Sequence, residues 1–267
     1  MTIYFLGGGN MAEAIISGLV KHSDTPIHVA NRGEEKRLRL QERYGVGVSV
    51  ALPPLQAEDV LVLAVKPQDM QAACAGVQTN GALVLSVAAG LSLNTLSSYL
   101  EGAKRLIRIM PNTPGSIGLG VSGMCAADGV SHTDKRTAET IMAATGEVLW
   151  LDSEEQMHSI TGISGSGPAY VFYLLEALQQ AALEQGFDNE QARMLSLATF
   201  KGAVALAEVS GEEFSVLRQN VTSKGGTTFA ALETFGKRGV AEAIQTGVAA
   251  CVARSREIAA QFEQNNL

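Results

Sequence analysis

Apolar residues arrive in short bursts over roughly the first half of the chain. "TIYFLG", "IHVAN", "GVSVA", "VLVLAVKP", "ALVLSVA" and "RLIRIMP" are rich in Val, Ile and Leu, and several are apolar throughout. Such runs suit parallel strands covered on both faces. Between them lie stretches with helical spacing, at Asn10–Lys21, Glu34–Tyr44 and Ser92–Leu100. Strand and helix in alternation predict an α/β sheet with right-handed crossovers. "VSGMCAA" and "GEVLWL" add further strands near the end of this half.

From Ser153 the pattern changes. Apolar positions recur at i, i+3 and i+4 over Ala169–Gln185, Glu190–Val209, Thr228–Phe235 and Ala241–Phe262, and no strand-like alternation competes. Of the prolines, only Pro168 lies in this half. The expectation is an α/β domain over 1–152 followed by an all-α domain over 153–267. Segments such as "MLSLATFKGAVALA" and "AEAIQTGVAACVA" are apolar around much of the helix. A small domain has little interior to cover so many such faces, so self-association is expected.

Composition narrows the function classes. The formal net charge is −7, with no basic stripe, which argues against nucleic acid. No apolar run reaches membrane-spanning length. The N-terminus has no basic segment ahead of an apolar one, so a cytoplasmic location is expected. Cys74, Cys125 and Cys251 are scattered, and His22, His28, His132 and His158 lack ligand spacing. Neither a disulfide framework nor a metal site is expected.

The first chemistry lies in "IYFLGGGNMAEAIISGL". Gly7-x-Gly9-x-x-Ala12 directly after a strand is the alanine-ended dinucleotide fingerprint. Its glycines allow the turn and the close approach of a pyrophosphate, and its small last residue lets helix pack on strand. After the second strand, a site selective for NAD usually carries an acid for the ribose hydroxyls. Here Asn31 and Arg32 stand instead, and an arginine can pair with a 2′-phosphate. NADP(H) is therefore preferred, with NAD(H) an alternative. Glu34 and Glu35 are set aside because a helix starts there. Other strand ends facing the same crevice carry Ala64, Val65, Lys66 and Pro67, then Ala88 and Ala89, then Pro111 and Asn112. The alanines leave room for a ribose or nicotinamide, and Lys66 places a cation beside cofactor phosphates or ribose.

The second half shows no triad, carboxylate dyad or metal cluster. It has two helix-start motifs. In "GISGSGPAYVF", Pro168 suits the first helical position, with Ser166 or Gly167 as its cap. In "VTSKGGTTFAAL", from Val221, Ser223 is a candidate cap and Gly225 and Gly226 expose backbone N–H groups. Thr227 and Thr228 add hydroxyls, giving an anion pocket at the positive end of a helix dipole. A dinucleotide domain with such a pocket suggests hydride transfer to a small anionic molecule. Ketone reduction usually needs a strong proton donor, whereas a protonated imine is already electrophilic.

At this point the chain resembles the pyrroline-5-carboxylate reductases. The marks are "GGGNMAEAII", "AVKPQ", "SVAAG", "RIMPNTP", "TGISGSGPAYVF" and "VTSKGGTTFAAL", in the family's order and spacing. The resemblance implies an N-terminal Rossmann domain and an all-α dimerisation domain whose helices interlock between subunits, with rings of dimers in some members. It implies reduction of (S)-1-pyrroline-5-carboxylate to L-proline by NAD(P)H. It places the substrate carboxylate on Ser223, Gly226 and Thr227, and the ring nitrogen on Thr228. It puts Glu154 near the substrate and Leu6, Gly7, Gly8, Gly9, Asn10 and Met11 around the phosphates. Ala64–Pro67 and Ala89 then meet ribose and nicotinamide.

Two residues depart from the family. Lys224 stands where proline is usual, beside the carboxylate site, where its charge would assist binding. Ala51 replaces an asparagine that touches adenosine in some relatives. A β-hydroxyacid dehydrogenase is the competing enzyme reading, but "GTTFAALETFGK" lacks the G-x-x-x-N-x-x-K pattern of its catalytic lysine. The non-enzymatic reading is an NADP(H)-sensing interaction protein.

Overall fold

The structure is a computed structural model and describes residues 1–264. The last three positions of the expected helical domain lie outside them. Eight strands form one sheet: β1 Ile3–Leu6, β2 Ile27–Ala30, β3 Gly47–Ser49, β4 Val60–Leu63, β5 Leu83–Ser86, β6 Leu106–Met110, β7 Gly120–Ala126 and β8 Gly146–Trp150. Their order is β3-β2-β1-β4-β5-β6-β7-β8. The crossover helices are α1 Asn10–His22, α2 Glu34–Tyr44, α3 Met70–Cys74, α4 Leu93–Tyr99 and α5 His132–Ala143.

The alternation of side chains along each strand builds two cores, one per face. Val60 and Val62 of β4 join Phe5, Ile15, Leu85 and Ile107 in one core, while Leu61 and Leu63 join Val84, Leu96 and Leu106 in the other. β4 is buried at every position, as its uninterrupted apolar run requires. One pairing departs from the parallel expectation: β7 runs antiparallel to β6, with Met110 opposite Gly123. The link between them is a short 3₁₀ turn, Thr113–Ile117, too brief for a crossover.

The helices continue with α6 Gln156–Ile160, α7 Gly167–Glu184, α8 Asn189–Ser210, α9 Phe214–Asn220, α10 Thr227–Lys237 and α11 Val240–Gln264. The chain divides into two compact units, Met1–Ser166 with Cys251–Leu267, and Gly167–Ala250. This differs from the expected boundary between 152 and 153. α6 belongs with the sheet because Ile160 packs over Gly123, and the end of α11 does so because Phe262 joins the second core. Periodicity identifies a helix but not the core that receives it.

The second unit is thinly packed. Its buried residues are Ala192 and Ser196 alone, and Phe172, Tyr173, Val204, Val209, Phe214 and Phe235 are more than half exposed.

Candidate functional site

The sheet reverses its strand order between β1 and β4, and there the C-terminal strand ends part to leave a crevice of about 1220 Å³. Its wall includes Leu6, Gly7, Gly8, Gly9, Asn31, Arg32, Ala64, Val65 and Lys66 of the expected cofactor residues. Gly7 has φ +104°, and a Cβ there would lie 2.6 Å from the Ala64 carbonyl oxygen. Only glycine fits this position. At Gly9 a Cβ would find nothing closer than Ala64 O at 4.0 Å, so the first turn of α1 is left open. Gly9 caps α1 without a side-chain partner, and the helix's first bond runs from Glu13 N to Gly9 O. The N–H groups of Asn10, Met11 and Ala12 are thus the orphan donors of a helix N-terminus, where an anion is favoured.

Asn31 does more than replace an acid. Its Oδ1 accepts from Gly8 N at 3.2 Å and its amide donates to Gly33 O at 3.1 Å, pinning the glycine loop to the end of β2. Arg37 Nη1 donates to the carbonyls of Asn31 and Arg32, fixing the same corner. The Arg32 side chain is exposed and faces the crevice together with Lys36, a cation the sequence reading missed. Glu34 and Glu35 line the crevice too, at the start of α2. So do Val50, Ala51, Leu52, Pro53 and Pro54, an apolar strip after β3. Its base is held by Ser49, which donates to Ala51 O at 2.5 Å and lies 2.8 Å from His28 Nε2. Burial pushes the His28 pKa down, which favours a neutral ring there.

Other expected cofactor residues are not part of that wall. Asn10 and Met11 follow Gly9 in the first turn of α1, where the Met11 side chain packs on the first core, and Pro67 and Ala89 lie beyond the ends of β4 and β5. The Ala88 side chain is buried in the second core. Asn112 is buried too, and its side chain is bonded within the fold. Its Nδ2 donates to Ser164 O at 3.0 Å and its Oδ1 accepts from Val121 N at 2.9 Å. Pro111 beside it is buried as well. A polar residue at a strand end can face either way, and its hydrogen-bond partners decide which.

The SGSGP stretch runs from a π turn through Ser166 into α7, which begins at Gly167. Thr161–Gly165 form a π turn that leads from α6 toward α7, closed by Ser166 N to Thr161 O at 2.9 Å. Such turns recur at functional sites. Ser166 Oγ lies 3.2 Å from Cys251 Sγ. Pro168 falls in the first turn of α7, where its missing N–H costs nothing.

In the second unit, α10 is capped by Gly226, not by Ser223. Ser223 O accepts from Gly226 N at 3.0 Å, and Gly225 has φ +71°. A glycine in the left-handed region at the third position of a turn is the type II pattern. That turn delays the helix and lays Ser223 Oγ over Gly226, where a Cβ would come within 2.3 Å of it. The first intrahelical bond is Ala230 N to Gly226 O, so the N–H groups of Thr227, Thr228 and Phe229 are orphan donors. Thr228 is half-buried, whereas Val221, Ser223, Lys224, Gly225 and Thr227 are exposed. The residues from Val221 to Thr228 are therefore gathered at one helix end, and Glu154 belongs to the first unit. Glu154 Oε1 accepts from Leu93 N at 2.7 Å and from Arg108 Nη1 at 2.5 Å.

Comparison with known proteins bears on both units. Residues 154–258 match the family described as pyrroline-5-carboxylate reductase dimerisation, and residues 2–90 match the one described as NADP oxidoreductase coenzyme F420-dependent. Pyrroline-5-carboxylate reductase of Vibrio alginolyticus is 39% identical over 97% of this chain and 98% of its own. Pyrroline-5-carboxylate reductase 1 of Bacillus subtilis is 36% identical over 98% and 91%. A solved pyrroline-5-carboxylate reductase from Coxiella burnetii superposes with a TM-score of 0.86 at 36% identity, covering 96% of this chain and 98% of its own. With an open glycine crevice at the C-terminal strand ends, a glycine-capped helix start with two threonines in the helical unit, and relatives this similar over nearly the whole length, the chain belongs to the pyrroline-5-carboxylate reductase family.

Proposed function

We propose that this protein reduces (S)-1-pyrroline-5-carboxylate to L-proline with NADPH, the last step of proline synthesis. The observation that carries the reading is the α10 N-terminus. It presents orphan backbone donors, the Ser223 and Thr227 hydroxyls and the Thr228 hydroxyl within one turn. A carboxylate on the imine ring suits those donors and the positive helix end.

The crevice suits an NADP dinucleotide. Gly7, Gly8 and Gly9 with the α1 N-terminus would hold the pyrophosphate, since Gly7 lets the loop lie against Ala64 and Gly9 leaves the first turn of α1 open. Arg32 and Lys36 would take the 2′-phosphate, which supports NADPH over NADH. Val50, Leu52 and Pro53 offer apolar surface for the base. When bound, NADPH supplies the hydride. The chain's own part is to bind the carboxylate through Ser223, Gly226 and Thr227. Orienting the ring and excluding water then supply most of the rate. Thr228 holds the ring nitrogen through its hydroxyl, and Lys224 adds a nearby positive charge.

The exposed apolar faces of α7 to α11 and the dimerisation match at 154–258 support self-association as a dimer. A ring of such dimers is the larger assembly proposed. Among the described residues no helix is long and apolar enough to cross a membrane, and a cytoplasmic site of action is part of this reading.

Replacing Thr228 by Ala is the test of the site. kcat should fall by on the order of 10²-fold, while the NADPH dissociation constant stays unchanged. Full turnover in that variant would remove Thr228 from the mechanism.

A further inference from the structure

We propose that Glu154 is a positioning residue for the nicotinamide end of the cofactor site, acting through Arg108 and the start of α4 rather than by touching substrate. Glu154 lies in the turn after β8, yet its carboxylate reaches back across the sheet. One oxygen accepts from Leu93 N, at the first residue of α4, and from the Arg108 guanidinium on β6. The Arg108 side chain is 8% exposed and its ion pair is with Glu154. Arg108 sits beside Ser86, the last residue of β5, and opposite Cys125 of β7. Glu154 therefore ties together the strand next to β5 and the helix that follows β5.

The segment between those anchors is Val87–Ser92, which carries Ala89 and Gly90. Its helix end is held twice, by Glu154 on Leu93 N and by Ser92 Oγ accepting from Thr95 N at 3.1 Å. Its middle is braced from the other side. Gly90, with φ +79°, faces Ile258 and the Phe262 ring of α11, and a Cβ there would come within 3.1 Å of Ile258 Cγ2. That part of α11 is itself tied to the Glu154 region. Arg256 Nε meets Glu155 Oε1 at 2.7 Å and His158 Nδ1 lies 2.9 Å from Ser255 Oγ. Removing the Glu154 carboxylate leaves a buried guanidinium without its counter-charge and a helix start without its acceptor. The segment would then shift, while the phosphate and adenosine wall from Leu6 to Pro54 keeps its contacts.

This inference rests on the reading that Ala89 faces the nicotinamide, and the experiment separates the two. Glu154→Ala, Glu154→Gln and Ala89→Val are made in the full chain. Each is assayed for kcat, the KM of pyrroline-5-carboxylate, melting temperature, and the dissociation constants of NADPH and of adenosine 2′,5′-bisphosphate. The expected result for Glu154→Ala is a kcat lower by on the order of 10²-fold and weaker NADPH binding, with adenosine 2′,5′-bisphosphate binding unchanged. Glu154→Gln, which keeps an acceptor for Leu93, should recover part of both. Equal weakening of both nucleotides, a change confined to the KM of pyrroline-5-carboxylate, or no change would each overturn the proposal. If Ala89→Val leaves NADPH binding intact, the underlying reading of that segment fails instead. If Ala89→Val weakens NADPH alone while Glu154→Ala is silent, the site stands and the positioning role falls.

Discussion

Lys224 occupies the second position of the turn Ser223–Gly226, with Gly225 at φ +71° in the third. Proline is favoured at that second position because its ring pre-sets φ. The family's usual proline would thus shape the turn rather than the helix that follows it. Lys224→Pro should raise stability by about 0.4–1 kcal/mol by restricting the unfolded chain. If the lysine charge assists carboxylate binding, the same change raises the substrate KM, and the difference shrinks as salt screens the site. KM measured in both forms at low and high salt checks this; equal values throughout would show that the charge does nothing. Individual glycines were legible in the sequence because their task is steric and local, as at Gly7. The partners of Asn31, Ala88 and Asn112 were not legible, because Gly8, the second core and Ser164 lie far from them in sequence. Lys36 was missed for a related reason: its place in a helical run conceals that it faces the crevice with Arg32.

Among the elements, α5 shows how a helix start ties the sheet together. Ser131 Oγ accepts from Asp134 N, and Asp134 Oδ2 accepts from Ser131 N, a reciprocal cap. Asp134 also takes two bonds from Arg105, whose Nη1 bonds the Ala57 and Gly81 carbonyls. The hydrogen bond from Arg105 lowers the Asp134 pKa, with smaller help from Ser131 and against the opposing effect of burial. A carboxylate depressed in the folded state adds stability above its unfolded pKa of about 3.9, and that stability is lost as pH falls through the folded value. Asp134→Asn should therefore cost about 1–3 kcal/mol near neutrality, with the gap closing below about pH 4. Melting curves of both proteins across that range check the sign. Strands β1 to β6 were readable from their apolar runs. The reversal of β7 was not, since it depends on a link too short for a crossover. The π turn at Thr161–Gly165 was hidden because its residues also suit an ordinary helix cap.

For the molecule as a whole, the distribution of apolar surface carries most meaning. The sheet unit has two closed cores, whereas the helical unit buries only Ala192 and Ser196. Phe172 and Tyr173 are 64% and 72% exposed, and Val209 is 88% exposed. Covering one such side chain is worth about 1.5–3 kcal/mol, and a two-fold interface counts each of them twice. Phe172→Asp should shift the protein from dimer toward monomer in sedimentation velocity while the sheet unit stays folded. An unchanged sedimentation coefficient would place Phe172 outside the interface. The apolar circumference of these helices announced self-association from the sequence. The assignment of α6 and the end of α11 to the sheet unit emerged only with packing. The proposed reaction is tested most directly by adding (S)-1-pyrroline-5-carboxylate to the purified protein with NADPH or with NADH, following reduced-cofactor loss and the product together. It predicts proline formed one for one with NADPH consumed, and faster than with NADH. No cofactor consumption, or consumption without proline, would contradict it.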